Sequence, residues 1–174
     1  LKKNILHAST PKGFSGLRPL TFEVAEEYIK QINYIISVID KLNNFHLIIK
    51  FRTIYNYEGY EILGYEAFKN SLIKSKKYTI SVNETLESLL ETSDCLISYS
   101  STVIEEMLNY KKPVILFDIF KRYCHISDKV LKNNLEFKLA PLNYLTNKSQ
   151  LESSLKSLKY LNMNKFKKNK FWLK

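Results

Sequence analysis

The sequence predicts an α/β domain built on a parallel sheet with helices on both faces. Three observations point there. Short β-rich runs alternate with stretches of helical period, the runs show little polar alternation, and no apolar stretch is long enough to span a membrane. Parallel strands need crossover connections, usually helices, and a strand covered on both sides has no solvent face for polar residues. At 174 residues the chain has the size of one ordinary domain, and 45% hydrophobic with 13% aromatic residues excludes a disordered one.

The elements follow in order. "NILHAS" reads as a buried strand, and "TPKGFSGLRP" as a loop punctuated by Pro11, Gly13, Gly16 and Pro19. From Thr21 the period becomes helical: Val24/Ala25, Tyr28/Ile29, Ile32, Ile35/Ile36, Ile39 and Leu42, with acids in the first turn and Asn43–Asn44 at the end. "FHLIIKF" is a strand covered on both faces. Residues 53–77 show no clear period before a short helix around Tyr65–Ile73. "YTISV" is a strand, Asn83 caps the helix "ETLESLLETS", and "DCLISYS", "STVIEEMLNYK" and "PVILFD" read as strand, helix, strand. "SQLESSLKSLKYL" has helical character. This is a doubly wound, Rossmann-like parallel sheet. With only four glycines and no G-x-G-x-x-G, a nicotinamide or flavin dinucleotide is not expected.

We expect residues 1–162 to form the domain and 163–174, "KFKKNKFWLK" at its core, to form a basic aromatic tail. The net charge of +10 suits a phosphorylated ligand, an anionic membrane or nucleic acid, but a Lys- and Asn-rich composition accounts for it equally well. Nucleic acid is disfavoured, because aromatic and basic residues interleave only in the tail. The tail suits an anionic membrane surface, with a disordered or core-docked terminus as the alternative. Cys95 and Cys124 make no disulfide framework, which points to a reducing, cytoplasmic setting. Leu1 in place of Met suggests a piece excised from a longer protein.

"DCLISYSSTVIEEMLNYKKPVILFD", residues 94–118, holds the chemistry. An apolar strand ends in Ser100, Ser101 and Thr102, and a helix begins there. In open parallel sheets the ligand crevice lies at the carboxyl ends of the strands, and unpaired N–H groups at a helix start suit phosphate. Thr102-Val-Ile-Glu105 is also a capping box that needs no ligand.

This segment resembles the nucleotide-binding part of the C-terminal domain of GT-B-type glycosyltransferases. Similar patterns occur in bacterial capsule and surface-polysaccharide transferases, in UDP-N-acetylglucosamine 2-epimerase and in CDP-glycerol glycerophosphotransferases. The resemblance implies one half of a GT-B fold. It places Ser100, Ser101 and Thr102 on the phosphate-binding turn and Glu106, with Glu105 beside it, on the acid that receives the ribose hydroxyls. Lys112-Pro113 falls on the Lys-Pro before the next strand. The front of the chain resembles the opening of the same domain. That implies donor-phosphate contacts from Ser9, Thr10, Lys12 and Arg18, and a basic element after the second strand at Lys50 and Arg52. Here Phe51-Arg52-Thr53 stands in place of the commoner His-Pro.

Smaller signals add little. His7 ends the first strand and is a weak candidate for a donor contact or a base, a structural role being commoner. His46 lies within a strand. Asp118, Cys124, His125 and Asp128 match no zinc spacing, so no metal is expected, and no cofactor. The resemblance implies a glycosyltransferase domain that binds a UDP-, CDP- or CMP-linked sugar for surface-polysaccharide synthesis. A glycan or lipid-linked acceptor would be served largely by an N-terminal domain absent from this chain. The alternatives are a nucleotide-sugar 2-epimerase-like domain and a basic module for nucleic acid or a membrane surface.

Overall fold

The computed structural model describes residues 2–8, 25–55, 59–98, 101–121, 137 and 140–172. The candidates Ser9, Thr10, Lys12, Arg18 and Ser100, together with Cys124, His125 and Asp128, lie outside them. β1 (Lys3–His7), β2 (Phe45–Lys50), β5 (Tyr78–Ser81), β6 (Cys95–Ser98), β7 (Val114–Phe117) and β8 (Leu142–Leu145) form one six-stranded sheet in the order β5-β2-β1-β6-β7-β8. Every neighbouring pair in it is parallel. The chain winds outward from β1 through β2 to β5, returns to the other side of β1 with β6, and winds outward again. That is the doubly wound Rossmann order, with its reversal between β1 and β6.

Alternate residues of each strand feed two cores. Ile5, Cys95, Ile97, Ile115 and Phe117 pack under α1 (Ala25–Ile39), α2 (Tyr65–Ser71) and α5 (Lys148–Lys159). Leu6, Leu96, Val114 and Leu116 pack under α3 (Leu86–Thr92) and α4 (Val103–Asn109). β6 and β7 are buried on both faces, as a near-continuous apolar run requires. β2 differs from expectation. Phe45, Leu47 and Ile49 are buried but His46, Ile48 and Lys50 only partly so, because β2 lies one strand from the sheet edge and its second face is thinly covered.

Local signals explain most boundaries. α1 ends before Asn44, which adopts φ 67°, a left-handed conformation that Asn tolerates better than most residues. The cap of α3 is Thr85, whose hydroxyl accepts from Ser88 N–H at 3.2 Å, and not the expected Asn83. Asn147 caps α5 by accepting from Gln150 N–H at 2.9 Å. Two features were not expected. Residues 53–64 hold an antiparallel hairpin, β3 (Ile54–Tyr55) with β4 (Glu61–Leu63), and β8 adds a sixth strand to the sheet.

The boundary drawn after Asn162 falls inside one packed unit. α6 (Met163–Lys167) buries Phe166 in the α1 core, and Phe171 and Trp172 pack edge-on against it. The Trp172 indole N–H donates to the Phe166 carbonyl at 2.8 Å. These aromatics are folded inward, so of the two readings of the tail the core-docked one is found, and it does not present them to a membrane. Among the described residues no helix is long and apolar enough to cross one.

Lys112 gives the "KP" motif a physical role. Its buried ammonium donates to the carbonyls of Leu90, Glu91 and Ser93 at 2.7, 2.6 and 2.8 Å, satisfying the C-terminal end of α3. Nearby, Lys3 pairs with Asp94 at 2.9 Å, and the other Asp94 oxygen accepts from Asn4 N–H. Lys112→Ala would strand three carbonyls, so we expect a loss of about 2–3 kcal/mol in urea unfolding. Lys111→Ala, one residue away and exposed, should change stability by less than about 0.5 kcal/mol.

Candidate functional site

In a doubly wound sheet the connections leaving the two strands at the reversal run in opposite directions, and a crevice opens between them. Here those strands are β1 and β6, and two side chains tie their carboxyl ends. The Ser98 hydroxyl donates to the Ala8 carbonyl at 2.9 Å. His7 Nδ1 lies 3.1 Å from the Ile97 carbonyl. A carbonyl can only accept, so Nδ1 carries the proton and Nε2 presents a lone pair.

Beside this edge is an open cleft of about 200 Å³ lined by Ala8, Lys50, Phe51, Arg52, Leu86, Ser101 and Val103. It draws on the ends of β1 and β2 and the starts of α3 and α4. Three residues that the sequence placed far apart as phosphate candidates, Lys50, Arg52 and Ser101, therefore share one cavity. Arg52 is exposed and has no hydrogen bond or ion pair among the described residues. The Lys50 ammonium already donates to the Val82 and Glu84 carbonyls, both at 2.7 Å. Two of its three hydrogens hold the segment after β5, which leaves one for a ligand.

The start of α4 is not built as expected. Thr102 has helical backbone angles and no side-chain cap bond, so the capping box with Glu105 does not form. Ser101 serves instead: its hydroxyl accepts from Val103 N–H at 3.4 Å, and its carbonyl from Ile104 N–H at 3.1 Å. The Thr102 hydroxyl is exposed and uncommitted to capping. Glu106 stands about one helical turn beyond Val103, outside the residues that line the cleft. Its charge is felt at Tyr110, whose pKa is raised by desolvation and then by Glu87, Glu91 and Glu106. The structure thus groups Lys50, Arg52 and Ser101, sets Thr102 next to them, and keeps Glu106 apart.

His7 does not join the cleft. It is 1% exposed and faces α1, its ring 6.0 Å from that of Tyr28, whereas the cleft opens among residues of the α3 and α4 side. Burial lowers its pKa from 6.5 to about 4, against the smaller upward pull of the bond to Ile97. So weak a base is poorly matched to general base catalysis at neutral pH. Cys95 is fully buried and its thiol pKa is raised by desolvation, as for a core residue. His46 reaches Thr79 Oγ1 at 3.3 Å. Asp118 accepts from the N–H groups of Phe120 and Lys121, holding the turn after β7. Sequence reasoning passed over Leu86, Phe51 and Ala8, the apolar part of the cleft. No local signal marks them, because each reads as an ordinary core residue.

The site so described is a crevice at the reversal of a Rossmann-like sheet. The chain is similar to solved structures with the same arrangement. One is described as a UDP-N-acetylglucosamine 2-epimerase from Listeria monocytogenes, by putative assignment, with TM-score 0.59 and 13% identity over 96% of this chain and 38% of that one. Another is the S. aureus MnaA–UDP co-structure, with TM-score 0.56 and 15% identity over 91% of this chain and 36% of that one. A third is the glycotransferase of kitacinnamycin, with TM-score 0.53 and 12% identity over 96% of this chain and 38% of that one. The likeness is one of fold, a GT-B-like Rossmann domain, and this chain spans less than two-fifths of each of those proteins. No family description and no curated protein matches the sequence.

The buried His7 makes acid sensitivity testable. Its folded pKa lies below the unfolded 6.5, so between about pH 6.5 and 4 the unfolded chain binds a proton that the folded one refuses. The contribution is whole above pH 6.5 and falls as pH drops toward 4, by roughly 3 kcal/mol. Urea unfolding from pH 7 to 4 should show that decline. His7→Asn, which keeps a donor for Ile97 but cannot titrate, should flatten it.

Proposed function

We propose that this chain is the nucleotide-sugar-binding domain of a glycosyltransferase acting in surface-polysaccharide synthesis. The observation that carries the reading is the cleft beside the β1–β6 reversal, where Arg52, unpartnered among the described residues, shares the lining with Ser101 at the start of α4. Guanidinium, ammonium and hydroxyl donors around an apolar floor suit a nucleoside diphosphate, whose phosphates need charge and whose base and ribose need contact area. The fold shared with a UDP complex supports the same ligand class.

In glycosyl transfer the bond from the anomeric carbon to the phosphate breaks, and negative charge grows on the departing phosphate oxygen. Donors already fixed around that position stabilise the transition state more than the ground state. Arg52 would supply the bidentate contact, with Lys50 as a point charge held in place by Val82 and Glu84. Ser101 and Thr102 would bond the phosphate oxygens. A glycan or lipid-linked acceptor, a second domain and a cytoplasmic setting at the inner membrane face complete this reading. Two of the similar structures, one solved with UDP and one described as a 2-epimerase, favour a second reading, a nucleotide-sugar 2-epimerase-like domain. It would use the same cleft for the same nucleotide. Formation of UDP-N-acetylmannosamine from UDP-N-acetylglucosamine, with no acceptor present, would select it.

The test is calorimetric titration of UDP, CDP, CMP and uridine into the chain. We expect at least one nucleotide to bind, and Arg52→Ala to weaken it about tenfold or more, the worth of a charged phosphate contact. Uridine, which lacks the phosphate, should be unaffected. Equal loss for UDP and uridine, or no binding by any nucleotide, would refute the assignment.

A further inference from the structure

Because all six strands of the sheet are parallel, their amino ends share the edge opposite the cleft. The segments that enter β1, β2, β5 and β7 there carry Lys2, Lys41, Lys76 and Lys111, all exposed. α5 starts at the carboxyl edge after β8 and runs back, which brings α6 and its exposed Lys167 and Lys168 to the same edge. Lys167 lies close enough to Lys112 to help lower its pKa, after the larger effect of burial and against Asp94 and Glu91. None of these six ammonium groups has an ion pair or hydrogen bond among the described residues.

Three carboxylates here are engaged, while Glu91, exposed at the end of α3, stands close to Lys112. Asp94 is paired with Lys3, Glu152 with Lys156, and Asp40 accepts from the Ser75 hydroxyl. Lys77 and Lys112 are themselves committed to carbonyls. What faces solvent is therefore an edge on which exposed lysines outnumber carboxylates, with Glu91 and the interaction of Lys41 with Glu152 offsetting part of the charge. Six strand ends at their usual spacing make it roughly 24 Å wide. The shape is an edge and not a groove. Among the described residues near it, Phe166, Phe171 and Trp172 are turned against one another and the core, leaving Tyr160, 80% exposed beside Lys159, as the projecting aromatic. Single-stranded nucleic acid needs a channel with free rings for its bases. A broad lysine surface with one projecting tyrosine matches a plane of anionic headgroups, where lysines meet phosphates and tyrosine sits at the interface.

We propose that the amino edge of the sheet docks the domain on an anionic lipid surface, with the cleft facing away from it. The contact is electrostatic, made by lysines of the strand-entry segments and α6, and inserts none of the three C-terminal aromatics. It stands on residues separate from the nucleotide reading and does not depend on it.

Co-sedimentation with vesicles of phosphatidylglycerol mixed with phosphatidylcholine, and of phosphatidylcholine alone, tests this. Binding should need the anionic lipid and weaken as salt rises. Lys111→Gln with Lys167→Gln and Lys168→Gln should lower affinity by roughly tenfold or more. A triple variant of equal net charge at the carboxyl edge, Lys30→Gln with Lys121→Gln and Lys148→Gln, should bind as the parent does. Far-UV dichroism and melting confirm that both are folded. Equal losses in the two variants would mean net charge alone and overturn the assignment, as would failure to bind anionic vesicles. Tighter binding to a single-stranded oligonucleotide than to vesicles at the same salt would also overturn it, in favour of nucleic acid. UDP affinity of the Lys111/Lys167/Lys168 variant should be unchanged, so failure here and failure of the nucleotide reading are separable.

Discussion

His7 and Ile97, ninety residues apart in the chain, lie opposite each other in the middle of the sheet, and the rest of the architecture is arranged around that pairing. A parallel pair so distant in sequence forms only once the intervening strands and helices have found their places, because closing so long a loop costs entropy before any contact rewards it. Once formed, it puts α1 and α4, the helices that follow β1 and β6, on opposite faces of the sheet. The bonds from His7 to Ile97 and from Ser98 to Ala8 close the register at the end where the crevice begins. The neutral imidazole belongs to this structural task. A protonated ring there would carry a fully buried charge, which burial disfavours.

The two edges of the sheet handle polar groups differently. At the amino edge, Lys112 satisfies the last carbonyls of α3 and Lys3 closes on Asp94, so part of the positive charge is spent on holding helix ends and strand starts. At the carboxyl edge, Lys50 is partly committed, whereas Arg52 has no partner among the described residues and lies beside an open cavity. Satisfied cations stabilise, and an unsatisfied one beside a concavity is available for an anion. Both edges carry lysines that look alike in the sequence. Their carbonyl neighbours distinguish them.

Periodicity made the sheet and its helices readable. The apolar runs at β1, β6 and β7 have no polar alternation because both faces are covered, and the helical spacing from Val24 to Leu42 matches the buried stripe of α1. β8 escaped notice because it is four residues long and carries Asn143 in its middle, a polar residue hidden by the Ser154 hydroxyl of α5. The β3–β4 hairpin gives no alternation to read. The aromatics at the end of the chain looked suited to an interface, and only the packing of Phe166 under the core shows where they go. The phosphate candidates were legible in part: Lys50, Arg52 and Ser101 line one cleft, whereas Glu106, one turn along α4, is not among its lining residues.

By itself, then, the sequence determined the class of fold and the positions of five of the six sheet strands and of the helices α1 to α5, and it pointed to the carboxyl edge as where a ligand is expected. All three follow from local pattern, since a strand buried on both faces and a helix with one apolar stripe each announce their surroundings. The tertiary structure alone decided which cations are free, which face of the sheet a side chain takes, and which residues share a cavity. Those are questions of neighbours, and for Lys50 and Lys112 the neighbours that matter are backbone carbonyls, which every residue carries and no sequence distinguishes.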